Sequence, residues 1–246
     1  MNLQGKKAII TGAGSGFGAG IAKAFSTQGA ELILADLNFS NVKKVAIEFG
    51  AIPIEVDVSN KDSVDTMIDL AIKEFDTIDI IVNNAGITHL PSPMETIDES
   101  EFDKIFRVNA KSVYLSATAI IPHFKARKSG TILNIASTAG VSPRPNLTWY
   151  NASKGWMITA TKSMAIELAE YSIRVNAINP VAGETPLLKS FMGEDTEETR
   201  KKFLSTIPIG RFSTPDDIGS AAVFLCSDQA SMITGVALEV DGGRCI

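Results

Sequence analysis

Tyr150 and Lys154 stand four residues apart in Tyr150-Asn151-Ala152-Ser153-Lys154, within a stretch that reads as helix. That spacing puts the phenol and the ammonium on one helical face, a turn apart. A free tyrosine titrates near pH ~10, too high for efficient proton transfer at neutral pH. A neighbouring ammonium favours the phenolate, so Lys154 is expected to lower the Tyr150 pKa. On its own a Tyr-x-x-x-Lys pair is common in helices and says little.

A second group of residues has the composition of a phosphate cradle. The run Thr11-Gly12-Ala13-Gly14-Ser15-Gly16-Phe17-Gly18 follows a short apolar strand and opens a helix. Glycines are costly in regular elements, and their use here is a tight turn, close backbone approach to a ligand and close helix–strand packing. The helix start offers free N–H groups and a positive dipole end to a pyrophosphate. The bland alternative is a glycine-rich structural turn. The next strand ends at Asp36, eighteen residues beyond Gly18. A carboxylate there can accept hydrogen bonds from the adenosine ribose hydroxyls and repels a 2′-phosphate. No Arg or Lys occupies Ser15 or Leu37, where a phosphate partner would be useful, so NAD is favoured over NADP. Alone, Asp36 also reads as a loop acid capping the following helix.

The elements that must position these groups alternate. Apolar runs at Lys7 to Thr11, Glu31 to Asp36, Ile52 to Val58, Asp79 to Asn83, Thr131 to Ser137, Ile173 to Asn179 and Val236 to Asp241 read as seven strands. Most lack strict alternation, as strands buried on both faces do. Helical patterns separate them: Phe17 to Gln28, Val42 to Phe49, Lys61 to Phe75, Asp98 to Lys125 with Pro122 as a breaker near its end, Tyr150 to Tyr171, and Pro215 to Cys226. The fold class is therefore α/β: a Rossmann-like, doubly wound, parallel seven-stranded sheet with helices on both faces. At 246 residues, with no repeat or linker, one domain spanning 1–246 is the economical reading. The irregular stretch Gly183 to Ser205, closing at Thr206, reads equally as a substrate lid (183–206) or as a surface helix pair.

Bulk properties exclude several classes. A net charge of -5 gives no hint of a nucleic-acid surface. No apolar run approaches a membrane span, no targeting segment is visible, and Cys226 and Cys245 form no disulfide framework, so a reducing cytoplasm is expected. No metal site is expected.

The wider pattern resembles the short-chain dehydrogenase/reductase family along essentially the whole chain. Besides Thr11 to Gly18, the matching motifs are Asp57-Val58, Asn83-Asn84-Ala85-Gly86, Asn109 in Arg107-Val108-Asn109-Ala110-Lys111, and Ser137, thirteen residues before Tyr150. Pro208-Ile209-Gly210-Arg211, with Pro215 and Asp217, and Asp241-Gly242-Gly243 also match. The resemblance implies a catalytic set of Asn109, Ser137, Tyr150 and Lys154. Ser137 and Tyr150 would bind the carbonyl oxygen, Tyr150 would exchange the proton, and Lys154 would tune Tyr150 and hold the nicotinamide ribose. Asn109 would support a water linking Lys154 to solvent. Cofactor contacts are implied for Gly12, Ser15, Gly16, Phe17, Gly18, Asp36, Leu37, Asp57, Val58, Asn84, Ala85, Gly86, Pro180, Val181, Gly183 and Thr185, besides Tyr150 and Lys154. A homotetramer is implied as well.

Two positions depart from the family. Val181 replaces a usual glycine beside the nicotinamide and is expected to crowd or reshape the pocket. Phe17 replaces a small aliphatic residue in the glycine turn. His89 reads as a solvated loop histidine, although it lies close enough to the Asn83 to Gly86 motif to line a pocket. Trp149 and Trp156 flank the catalytic helix, Trp156 as a packing residue at a subunit interface. The expected activity is interconversion of a secondary alcohol and a ketone with NAD. Within the family the pattern looks like 3-oxoacyl-carrier-protein reductases, although Asp36 argues against their usual NADPH. Sugar, polyol or steroid substrates stay open. A non-catalytic nucleotide sensor is the reading from another class, and it has no need of the four catalytic residues together.

Overall fold

A computed structural model describes residues 2–246. The strands are β1 (Lys7–Thr11), β2 (Glu31–Asp36), β3 (Ile52–Glu55), β4 (Ile80–Asn83), β5 (Gly130–Ile135), β6 (Ile173–Pro180) and β7 (Ala237–Val240). All pair in parallel, in the order β3-β2-β1-β4-β5-β6-β7. The winding direction reverses between β1 and β4, which opens a crevice beyond the carboxyl ends of those strands.

Neighbouring side chains on each strand feed opposite cores. Ile10, Leu34, Val82, Leu133 and Ile178 join one cluster, which α1 (Gly16–Thr27), α2 (Phe39–Phe49) and α9 (Pro215–Cys226) cover with Ile21, Phe25, Val42 and Ile218. Ile9, Ile33, Ile81, Ile132 and Val175 join the other, under α3 (Lys61–Phe75), α5 (Ser112–Arg127) and α6 (Thr148–Leu168), which supply Met67, Ile120, Phe124 and Leu168. Burial on both faces explains why the strands read as continuous apolar runs.

Two local features differ from the expectations. The segment expected as one helix from Asp98 is α4 (Glu99–Phe106), a π-helical turn at Arg107–Lys111, and then α5. Pro122 does not break α5, which runs on to Arg127. A proline in a helix interior removes one N–H bond, and the residues on both sides of Pro122 stay helical. The stretch after β6 holds two short helices, α7 (Leu188–Met192) and α8 (Glu197–Leu204). Among the described residues, no helix is long and apolar enough to cross a membrane.

Candidate active site

The ends of β1 and β4 are knitted together. The Thr11 hydroxyl accepts the N–H groups of Asn84 (3.1 Å) and Ala85 (3.2 Å). The Asn84 amide donates to the carbonyls of Thr11 (2.9 Å) and Gly12 (3.0 Å). The turn between β1 and α1 has no room for side chains. A Cβ on Gly12 would lie 2.8 Å from Ala85 Cα, and one on Gly18 would lie 2.2 Å from the Gly12 carbonyl oxygen. Gly18 thus serves the packing of α1 on the turn and does not line the cleft, whereas Gly12, Ser15, Gly16 and Phe17 do. Asp36, at the end of β2, accepts the N–H of Gly14 (2.9 Å) on one oxygen and of Asn38 (2.9 Å) on the other. Its carboxylate is fixed beside the turn, with lone pairs left over. Leu37, Asp57 and Val58 continue the same wall, where the Asp57 carboxylate accepts both the N–H and the hydroxyl of Ser59.

At the other end of the cleft lie Ser137, Tyr150 and Lys154. Beneath them runs a buried polar chain that fixes α6 to the sheet. Ser116 donates to Asn83 (2.7 Å), Asn83 to Asn134 (2.8 Å) and Asn134 to Thr161 (2.9 Å). Asn109 adds a second tie from the π-helical turn. Its amide oxygen accepts the Ile87 N–H (2.9 Å), and its nitrogen donates to the Ile87 carbonyl (2.9 Å) and to Ser153 Oγ (3.0 Å). The Asn109 side chain is fully buried and does not line the cleft. Its amide is committed to protein partners.

Tyr150 and Lys154 are each 4% exposed. Lys154 Nζ donates to the Ile135 carbonyl (2.8 Å) and lies 6.0 Å from the Tyr150 ring centre. Burial pushes the lysine down to about 8. In this structure burial dominates the setting of Tyr150. It pushes the phenol up to about 12, and the hydrogen bond with Ser137 pulls it only partly back. The Lys154 ammonium gives a hydrogen bond to a backbone carbonyl. Gly86 sits over this corner, where a Cβ would be 3.4 Å from both Lys154 Nζ and Asn109 Oδ1.

Pro180, Val181, Gly183 and Thr185 close the roof. Val181 lines the cleft. It is 4% exposed and joins an apolar cluster with Leu188, Met192, Ile207 and Phe212, so it helps seat the segment above β6. The Phe17 ring occupies the space beside Gly183, where a Cβ would be 2.4 Å from it. Thr185 lies over the glycine turn, 3.2 Å from where a Gly16 Cβ would be.

His89 corrects the sequence reading. It is buried, at 2% exposure, with Nδ1 2.8 Å from the Leu90 carbonyl, and it does not line the cleft. The loop folds inward there, between elements that a linear pattern does not place near each other. Trp149 donates its indole N–H to Met94 (3.2 Å) and stands edge-on to Phe102, while Trp156 is 40% exposed. Sequence reasoning also missed Arg144 and Phe191. Phe191 of α7 meets the Tyr150 ring edge-on, with centres 5.0 Å apart. Arg144 lies on the loop before α6, stacks 4.4 Å from Phe203 and donates to Thr206 (2.9 Å). The signal available for Arg144 was its place between Pro143 and Pro145, a stiff setting for a lone cation. The whole cleft has a volume of about 560 Å³.

Known proteins share this architecture along its full length. A family model described as enoyl-(acyl carrier protein) reductase matches residues 12–244. A 4-formylbenzenesulfonate dehydrogenase of Comamonas testosteroni is 48% identical, covering all of both chains. A 3-oxoacyl-[acyl-carrier-protein] reductase of Thermotoga maritima is 35% identical, again over all of both chains. Among solved structures, a 3-ketoacyl-(acyl-carrier-protein) reductase of Brucella melitensis, crystallised with NADH, superposes with a TM-score of 0.95 at 51% identity and full coverage of both chains. With its sheet order, glycine turn and motifs matched from end to end, the chain belongs to the short-chain dehydrogenase/reductase family of oxidoreductases.

Proposed function

We propose that this oxidoreductase transfers a hydride between NAD(H) and an alcohol–carbonyl pair, a secondary alcohol and its ketone being the expected class. One observation carries the reading: a single cleft joins the glycine turn and Asp36 to Ser137, Tyr150 and Lys154. The residues fit a dinucleotide. The turn has lost the side chains that would block close approach, Asp36 keeps free lone pairs beside it, and Lys154 keeps N–H groups beyond the one given to Ile135. In this reading Asp36 holds the adenosine ribose, with Leu37, Asp57 and Val58 beside the adenine. Gly12, Ser15, Gly16 and Phe17 face the pyrophosphate, with Gly18 closing the turn behind them. Asn84, Ala85, Gly86, Pro180, Val181, Gly183 and Thr185 line the nicotinamide half. When bound, the nicotinamide supplies or accepts the hydride.

The chain's own groups handle the proton and the oxygen. Ser137 donates a hydrogen bond to the substrate oxygen and stabilises negative charge as it develops. Tyr150 gives its phenolic proton to that oxygen in reduction and takes it back in oxidation. A phenol held near 12 is a reluctant base, so oxidation needs added positive charge beside it, and a protonated Lys154 provides it. Asn109 acts as a positioning residue, tying the Ile87 loop to Ser153 and so fixing the helical turn that carries Tyr150 and Lys154. Residues 183–206 act as the substrate lid, with Phe191 as its wall against Tyr150. We place the protein's working state as a homotetramer, on the exposed apolar side chains Tyr114 of α5 and Trp156 and Ile166 of α6.

For the substrate, 3-oxoacyl thioesters are the first class to examine, because the Thermotoga and Brucella relatives are named as acyl-carrier-protein reductases. The Comamonas relative, named for an aromatic aldehyde, supports a second class with a smaller and flatter body. Consumption of NADH and NADPH in parallel, with acetoacetyl-CoA, separates these. Turnover at least ~10-fold faster with NADH fits an acid at Asp36 facing the ribose. Equal use of NADPH would remove that role from Asp36. Turnover with aromatic aldehydes but not with acetoacetyl-CoA would select the second class.

A further inference from the structure

The two acids of the cleft, Asp36 at the end of β2 and Asp57 after β3, stand at its glycine-turn end, whereas the cations Arg144 and Lys154 belong to the Tyr150 end. Arg144 has the most specific setting. Pro143 and Pro145 fix the backbone on both sides of it, and Asn151, the neighbour of Tyr150, donates to the Arg144 carbonyl (2.8 Å). The guanidinium carbon stands 4.4 Å from the Phe203 ring centre, and the group gives one hydrogen bond, to Thr206. Among the described residues no carboxylate lies within 4 Å of it. A second guanidinium, Arg244, approaches from the C-terminal end, bonded to the cleft-lining Ser142 (2.9 Å) and likewise without a carboxylate.

Two nearby guanidiniums without an acid between them repel each other. Burial and the charge of Arg244 together push Arg144 below its usual range. A fold that only needed a clamp between this loop and α8 would place a neutral side chain on Phe203 more cheaply. Guanidinium is the group suited to oxyanions, because its N–H groups form a fork that can meet two oxygens of a carboxylate or sulfonate at once. We propose that Arg144, backed by Arg244, is the recognition site for an anionic group on the substrate. The enzyme then acts on small carbonyl or alcohol compounds that carry a carboxylate- or sulfonate-type anion, with Phe191 and Leu187 holding the apolar body between that anion and Tyr150. This deepens the hydride-transfer reading and rests on it for the position of the reacting oxygen. The anion site itself can be measured without turnover.

The test is calorimetric binding of benzoate and of benzamide, its neutral analogue, to the full chain saturated with NAD. Wild type is expected to bind benzoate at least ~10-fold more tightly than benzamide. Arg144→Gln is expected to erase that preference, Arg144→Lys to keep part of it, and both to bind NADH as wild type does. Raising the salt concentration on wild type alone provides a control that needs no variant: benzoate affinity should fall and benzamide affinity should not. Equal binding of the two ligands by wild type, or a preference that survives in Arg144→Gln, overturns the anion site and leaves Arg144 as a lid clamp. If no carbonyl compound is reduced while benzoate preference persists, the hydride-transfer reading fails and the anion site stands.

Discussion

The two ends of the cleft are built in different ways. At the glycine-turn end the surface is mostly backbone, and its shape comes from what is missing: a Cβ at Gly12 or Gly18 would collide with neighbouring main chain. At the Tyr150 end the surface is side chains, brought together from β5, the loop before α6, α6 itself and α7. The first kind of surface suits a ligand that never changes. The second can be altered one residue at a time without disturbing the first. A fold made this way can keep one cofactor while changing its substrate.

The division predicts separable failures. Tyr150→Phe removes the proton donor and keeps the ring that packs on Phe191. Turnover should fall roughly 1000-fold, while NADH affinity by fluorescence titration stays within about 2-fold. Loss of both together would mean the two ends are not independent. Gly18→Ala is the complementary experiment. Its Cβ would lie 2.2 Å from the Gly12 oxygen and 2.5 Å from Asn84 Nδ2, so the turn and the β1–β4 junction must both move. Urea denaturation should show about 3 kcal/mol of lost stability, with NADH binding lost along with it. A variant of normal stability with normal NADH binding would show that the backbone surface is softer than its contacts imply.

Lys154 belongs to the Tyr150 end, and its effect is the smallest. Burial holds it near 8 against an ordinary 10.5. Between those values the unfolded chain carries more protons than the folded one, so stability rises as pH rises through that window. Tyr150, shifted upward, opposes this only above pH ~10. The thermal midpoint of wild type relative to Lys154→Met should therefore climb by roughly 2–4 °C from pH 8 to pH 10. A flat difference would mean that Lys154 keeps its charge in the cleft.

The same division governs what could be read from the sequence. The strands were legible because burial on both faces leaves bare apolar runs, and Asp36 and the glycines because backbone recognition needs particular residues at particular spacings. Tyr150 and Lys154 stand out by their spacing and Ser137 by the family resemblance, and the structure brings all three to one corner. Phe191 was not found, because its meaning depends on α7 folding back over Tyr150. Arg144 reads as one more loop cation until Phe203 and Thr206, far along the chain, are seen to hold it. His89 looked solvated because nothing local shows that its loop turns inward. The apolar cluster that Val181 joins is revealed only by the fold.

Phe17 and Gly183 share one volume. The ring at 17 fills the space that any side chain at 183 would enter, so neither position is free to drift alone. A methyl group gained at 183 would meet the Phe17 ring and also, at 2.7 Å, the buried hydroxyl of Ser213. A smaller residue at 17 alone leaves Ser213 in the way. Three positions from three separate segments are therefore bound to change together.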